Sequence, residues 1–440
     1  MVLVLRGLAG LILYALLATA PALVALLAGP APADALAAAS SGLAWVGLAI
    51  FALEFLLVTR IHMVTGPYGQ DALLQFHREI ALVGAACVAA HLVLVGWRGV
   101  PPRAFVDPFA MGTVAFGAGS LALWALGALL ATSLARRLLR LSYEAWLLLH
   151  RWLGLALVVA AGLHAHALMA SPTPLLKALV LGYGALVLLS LGWVRVWKPW
   201  SQARRPWVLL DNRAERGRAR TLVLRPLGHA GLAFAPGQFC WLRTAGPWAR
   251  EAHPVSMSCS AERAADAPLE FTIKALGDWS GTRVPGLAPG AHLWLDGPYG
   301  VFTPERHEGP GFVFIGGGIG VTPLASMVQT LLDRDDARPL LLVHAANAWE
   351  GLCLRERFEE RARQHPNLRW VPVLESPPAD WGGERDYVTA ALLRRHLPPR
   401  HTSLQYFVCG PAPMMDAMER VLAELGVPAD RVHTERYDMV

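Results

Sequence analysis

Long apolar runs fill the first two hundred residues, and short alternating segments fill the rest. Six apolar stretches cover 5–28, 41–60, 77–97, 111–134, 146–169 and 174–197. A hydrocarbon core about 30 Å thick takes about 20 helical residues to cross, so each stretch is long enough to span. From about 206 to 304 the apolar positions come in brief runs at 207–211, 220–224, 239–243, 269–275 and 292–295, parted by Gly and Pro. That spacing predicts a small antiparallel β-barrel. Beyond 311, strands at 311–315, 339–344, 368–374 and 405–409 alternate with amphipathic helices. Such alternation predicts an α/β parallel sheet with helices on its faces. The expected architecture is multi-domain: a six-helix transmembrane bundle at 1–197, a barrel at 198–304 and an α/β domain at 305–440.

Charge orients this arrangement. Arg60 and Arg78 lie at the facing ends of spans two and three, Arg136, Arg137 and Arg140 between spans four and five, and Lys198, Arg204 and Arg205 follow span six. These regions share a side if every span crosses, and the positive-inside rule makes that side cytoplasmic. The opposite loops carry few charges, chiefly Arg98 and Arg103. A multi-pass protein of the inner (plasma) membrane is expected, with both soluble domains in the cytoplasm. The first run resembles a signal peptide in having Arg6 before it and small residues after it. It is longer than the 7–15 residues of a usual signal core, which favours a retained span. The net charge of +6 comes without a basic stripe of interleaved aromatics, so no nucleic-acid partner is expected. Five cysteines, Cys87, Cys240, Cys259, Cys353 and Cys409, form no CxxC spacing, which leaves iron–sulfur and zinc without support.

The candidate chemistry of the membrane half lies in its histidines. His77 and His91 are fourteen residues apart, and so are His150 and His164. Fourteen helical residues rise about 21 Å and end within about 40° of a whole number of turns. Each pair therefore shares a helix face, with one histidine near each side of the membrane. A lone histidine in an apolar helix is more often a core residue bonded to a neighbour. Ionisable groups inside membrane spans are rare, however, and the same spacing occurs twice. Two such helices side by side offer axial ligands for two stacked b-type haems. Spans three and five run in the same direction, so His77 pairs with His150 at an inner haem and His91 with His164 at an outer one. His166 competes for the fourth place but lies about 160° round the helix from His150.

In the last domain the sequence Gly316-Gly317-Gly318-Ile319-Gly320-Val321-Thr322-Pro323 follows an apolar strand and opens a helix. Glycines let the backbone turn sharply and approach a pyrophosphate, whose charge the helix N-terminus favours. Thr322 is expected as N-cap and Pro323 at the first helical position.

The barrel also carries His253-Pro254-Val255-Ser256, Gly277-Asp278-Trp279-Ser280 and Gly297-Pro298-Tyr299-Gly300. The last domain adds Cys409-Gly410-Pro411, and Leu141-Ser142-Tyr143-Glu144-Ala145-Trp146 precedes His150. In this order the motifs resemble the ferric reductase and NADPH oxidase superfamily, a ferric-reductase-like haem domain fused to a ferredoxin-reductase-type flavin and nicotinamide unit. The resemblance covers nearly the whole chain from about residue 41. It implies that Ser256 lies near the reactive nitrogen of FAD, with His253 and the 277–280 turn near the flavin's phosphates. It places the 316–323 turn at the pyrophosphate of NADPH or NADH, and Cys409 with Gly410 and Pro411 beside the nicotinamide. Tyr437 is the implied aromatic cover of the flavin. Val255 departs from the family, which commonly has Phe or Tyr there; Trp279 is a candidate to compensate. After the strand ending near His344 the chain reads Ala345-Ala346-Asn347-Ala348 where NADPH users often have an arginine. Arg355 and Arg357 are the nearby substitutes.

Nicotinamide gives up a hydride and a haem takes one electron at a time, so a flavin is needed between them. The expected activity is that of an NAD(P)H oxidase or ferric-chelate reductase that moves electrons across the lipid bilayer to a small extracytoplasmic acceptor, dioxygen or a ferric complex. Two other readings are an electron supplier to a periplasmic partner or quinone, and a non-catalytic anchor or transporter with a degenerate flavin unit.

Overall fold

The computed structural model describes residues 2–29, 31–66, 68–169, 173–264 and 266–436. The chain separates into two compact units, one built mainly from the first 196 residues and the other from 197 onward.

Among the described residues the first unit holds six long helices, numbered here as spans one to six: Val2–Ala28, Ala35–Leu57, Gln70–Trp97, Val114–Leu134, Tyr143–Leu168 and Pro174–Gly192. All six are long and apolar enough to cross a membrane. Side-chain caps fix several starts: Asp34 accepts from the Ala37 amide at 2.6 Å, Ser142 from Ala145 at 3.2 Å and Thr173 from Leu176 at 3.3 Å. Span three begins at Gln70, two turns before the expected 77. Its opening turns contain Gln70, Asp71 and Gln75, so apolarity alone conceals them. His77 therefore lies within a helix rather than at its end. Spans two and three approach closely, because a Cβ on Gly47 would stand 3.1 Å from Val88 and one on Gly84 3.0 Å from Ile50.

In the second unit, six antiparallel strands form a sheet in the order β4-β3-β6-β1-β2-β5. They are β1 Trp207–Glu215, β2 Ala219–Pro226, β3 Phe239–Arg243, β4 His253–Ser256, β5 Leu269–Lys274 and β6 His292–Tyr299. A bridge from Met257 to Phe271 brings the two edges together, giving a barrel. Leu222, Leu224, Leu242, Met257, Phe271 and Leu293 fill its interior. A parallel sheet follows in the order β10-β9-β8-β7-β11-β12. Its strands are β7 Phe312–Gly317, β8 Leu340–Ala346, β9 Leu368–Leu374, β10 Glu384–Arg385, β11 Gln405–Gly410 and β12 Val432–Arg436. Alternation along β7 sends Phe312 and Phe314 to one face, under the helix Val321–Asp333, and Val313 and Ile315 to the other, under Ala412–Glu424. The chain leaves β7 toward β8 and returns to β11 on its other side, so the strand order reverses between β7 and β11. Open α/β sheets bind ligands at such a switch point, outside the strand C-termini.

The barrel and the parallel sheet are joined by a polar seam. Arg357 donates to Glu270 Oε2 at 2.8 Å and to the Ser258 carbonyl at 3.1 Å. Gln329 donates to the same carbonyl at 2.9 Å. Burial raises the Glu270 carboxyl, but Arg357 and Arg213 together outweigh it and hold the group below the usual carboxylate range. A depressed folded pKa gives stability that is complete above the unfolded carboxyl value of about 4.3 and is lost as pH falls through the folded value. Glu270→Gln should therefore cost the second unit about 1–3 kcal/mol at neutral pH. In thermal unfolding, the gap between wild type and variant should narrow below about pH 4; a gap independent of pH would contradict this account.

Candidate cofactor and electron-transfer site

His77 and His91 lie on span three, and His150 and His164 on span five. The rings of His77 and His150 have centroids 6.0 Å apart. Two imidazole–metal bonds of about 2 Å, with each ring centre about 1 Å further out, need a separation of about 6 Å. His91 and His164 are also within electrostatic reach of each other. His166 is exposed.

The four rings share a second feature, which the sequence did not reveal. In each, Nδ1 is engaged by the neighbouring span. His77 Nδ1 lies against the carboxylate of Glu54 on span two. His91 Nδ1 is 2.9 Å from Ser40 Oγ and 3.0 Å from the Ser40 carbonyl, also on span two. His150 Nδ1 is 3.3 Å from Ser133 Oγ on span four, which in turn accepts from Trp146 Nε1 at 3.4 Å. His164 Nδ1 is 2.6 Å from the Ala115 carbonyl on span four. A Cβ on Gly119 would stand 2.7 Å from that nitrogen, so a larger residue there would crowd the ring. Among the described residues no Nε2 of these four rings has a hydrogen-bond partner. Metal-bound histidines characteristically tie one ring nitrogen to a protein acceptor and present the other to the metal. Among the described residues no cluster of three or more His, Cys, Asp or Glu could hold a bare metal ion. Two opposed imidazoles are instead what a porphyrin-held iron requires, and the residues fit haem. Glu54 had one signal in the sequence: it is the sole acid in the apolar span Ala35–Leu57.

In the second unit the barrel motifs and the glycine turn approach one another. Ser256 is buried and pairs with Phe239, and Phe239 pairs with Tyr299. A Cβ on Gly300 would stand 3.3 Å from the Phe239 ring and 3.6 Å from Glu435 Oε1. Glu435 is in register with Cys409, and Cys409 with Gly316. A continuous series of neighbours thus links Ser256 to the switch point. Burial pushes the Glu435 carboxyl up to about 8, so it is largely protonated at neutral pH. Neither Glu435 nor Lys274 stood out in the sequence. Lys274 Nζ comes within 3.7 Å of where a Gly318 Cβ would lie, a cation beside the glycine turn.

Close packing explains the glycines. A Cβ on Gly320 would stand 2.3 Å from the Cys409 carbonyl oxygen and 2.7 Å from the Gly410 amide. One on Gly317 would stand 2.2 Å from Met414 and 3.1 Å from Pro411. The helix begins at Val321 with Gly320 as its cap. Thr322 Oγ1 donates to the Ile319 carbonyl at 2.9 Å, and Pro323 falls at the third helical position. The expected Thr322 cap, with Pro323 in first place, is thus incorrect. The short 3₁₀ turn Gly318–Gly320 starts the winding earlier.

Around the barrel motif, His253 stacks on Trp279 at 3.8 Å and contacts Glu251 at 2.9 Å. Pro254 pairs with Trp241, and Val255 packs into the barrel core. The turn holding Gly277 is tied by Ser280 Oγ, which accepts from the Leu276 and Gly277 amides at 2.9 and 3.1 Å. Arg357 is committed to the seam with Glu270, and Arg355 lies 4.1 Å over the Trp349 ring beside Glu356. Arg357 is therefore not a spare cation for a 2′-phosphate. Tyr437 lies outside the described residues.

Residues 43–173 match the ferric reductase like transmembrane component family, and 314–420 match the oxidoreductase NAD-binding domain. A flavohemoprotein of Bordetella pertussis is 29% identical over 60% of this chain and 70% of its own length. Ferredoxin–NADP reductase B of Sorangium cellulosum is 32% identical over 51% of this chain and 99% of its own length. The chain belongs to the ferric reductase and NADPH oxidase superfamily. As a member it is an NAD(P)H oxidoreductase and a multi-pass membrane protein that binds FAD and NAD(P)H. It transfers electrons from NAD(P)H across the membrane.

Gly320→Ala in this superfamily member should spread the strand ends at the switch point. The expected result is at least a tenfold rise in the apparent KM for NAD(P)H, about 1.4 kcal/mol, with an unaltered Soret spectrum. Wild-type KM values would show that the turn does not shape the nucleotide site.

Proposed function

We propose that the protein carries electrons from cytoplasmic NAD(P)H, by way of FAD and two b-type haems, to a small extracytoplasmic acceptor, dioxygen or a ferric complex. The observation that carries this reading is the matched tethering of His77, His91, His150 and His164 through Nδ1, with no hydrogen bond at Nε2 among the described residues. His77 and His150 would hold the inner haem, and His91 and His164 the outer one. The basic loops beside the His77 and His150 ends support a cytoplasmic position for those ends. When bound, FAD converts a two-electron hydride donor into a source of single electrons, which haem irons accept one at a time.

The residues supply position and electrostatics. Residues 1–197 form the haem domain, 198–304 the flavin domain and 305–440 the nucleotide domain in this reading. Ser256 would address the flavin ring, while His253, Pro254, Val255, Gly277, Trp279 and Ser280 line its binding site. Gly316, Gly317, Gly318, Gly320, Thr322 and Pro323 admit the nucleotide's pyrophosphate to the backbone, with Lys274 adding positive charge. Cys409, Gly410 and Pro411 form the opposite wall at the nicotinamide.

Pyridine haemochrome analysis tests the haem count. The wild-type protein should bind two haems per chain, and His91→Ala or His164→Ala should retain one. Saturation of the wild type at a single haem would contradict the reading. Steady-state assays with oxygen, ferric chelates and quinones, with and without superoxide dismutase, separate the acceptors. Oxygen reduction sensitive to the dismutase, or ferric-chelate reduction insensitive to it, is expected. Turnover with quinone alone would favour an electron supplier instead.

A further inference from the structure

We propose that Glu54 is a positioning residue that makes the inner haem site the lower-potential of the two. This inference rests on the two-haem reading and adds a direction to it. Glu54 is the only charged residue of span two and is 7% exposed. Its carboxylate lies against His77 Nδ1, and both oxygens are buried without a hydrogen-bond partner elsewhere among the described residues. A carboxylate at membrane depth is costly, and this one lies against the His77 imidazole, with the buried Tyr14 hydroxyl also within electrostatic reach.

The other three rings rest on neutral groups: Ser40 for His91, Ser133 for His150 and the Ala115 carbonyl for His164. An anionic acceptor draws the Nδ1 proton more strongly than a hydroxyl or carbonyl does. The imidazole becomes a more basic ligand at Nε2 and favours the oxidised, ferric state of the iron it holds. One inner ligand has this partner and neither outer ligand does. An electron donated from NAD(P)H therefore finds the inner site the weaker holder and the outer site the stronger, so passage outward is downhill. The sequence alone gives no such asymmetry, since all four positions are simply histidine.

The test is a spectroelectrochemical titration of the full-length, haem-loaded protein, with haem content measured in parallel. Wild type should give two separated one-electron waves. Glu54→Gln keeps the shape and an acceptor while removing the charge. It should raise the lower wave by at least a tenfold change in electron partition, about 59 mV for one electron. The upper wave should stay in place, and Glu54→Asp should return the lower wave toward its wild-type position. Unmoved waves in a Glu54→Gln protein with both haems, or movement of the upper wave instead, would overturn the proposal. If Glu54→Gln loses a haem, Glu54→Asp must restore both the haem and the low wave; a protein that stays at one haem in both variants overturns it too. A wild-type protein with fewer than two haems refutes the two-haem reading itself, and the haem assay distinguishes that failure.

Discussion

An imidazole in hydrocarbon has two ring nitrogens to satisfy, and no water is at hand to do it. Much of the membrane unit follows from this demand. Spans three and five carry the rings, while spans two and four carry the groups that hold Nδ1. Antiparallel neighbours make the pairing orderly. Ser40, early in span two, meets His91, late in span three, and Glu54, late in span two, meets His77. The small residues Gly47, Gly84 and Gly119 let the helices come close enough for these contacts.

The second unit meets a related demand with backbone instead of side chains. Gly316, Gly317 and Gly320 lie where the ends of β7 and β11 crowd together, and any Cβ there would strike the 409–414 segment or the helix that follows β7. The space saved is at the switch point, where exposed strand and helix termini suit an anionic nucleotide. Glu435 and Gly300 meet at the same end of the sheet, so the barrel's motif and the nucleotide wall adjoin. Burial keeps Glu435 largely protonated at neutral pH, which spares this junction an uncompensated charge.

The sequence made periodic features legible and left contacts between segments hidden. Six spans, nine of the twelve strands and the helix-face spacing of the histidines follow from local pattern. β4 was missed because His253–Ser256 is four residues long and contains a proline. β12 was missed because Val432–Arg436 is polar at an edge, and β10 because it has only two residues. Thr322 looked like a helix cap, since a hydroxyl before a proline is a common start signal. The earlier 3₁₀ turn displaced it. Ser40, Glu54, Ser133 and Ala115 acquire meaning only when their spans pack against the histidines, and no spacing within one segment encodes that. Arg357 appeared available from its position in the chain, yet Glu270, 87 residues away, claims it.

Vectorial transfer is the central claim, and sealed proteoliposomes test it most directly. Oriented protein would receive NADH only on the outside, facing its nucleotide domain, with an impermeant ferric acceptor trapped in the lumen. The account predicts lumenal reduction on NADH addition, abolished in His91→Ala and His164→Ala. Reduction only when acceptor and NADH share one side, with the lumenal acceptor untouched, would contradict it.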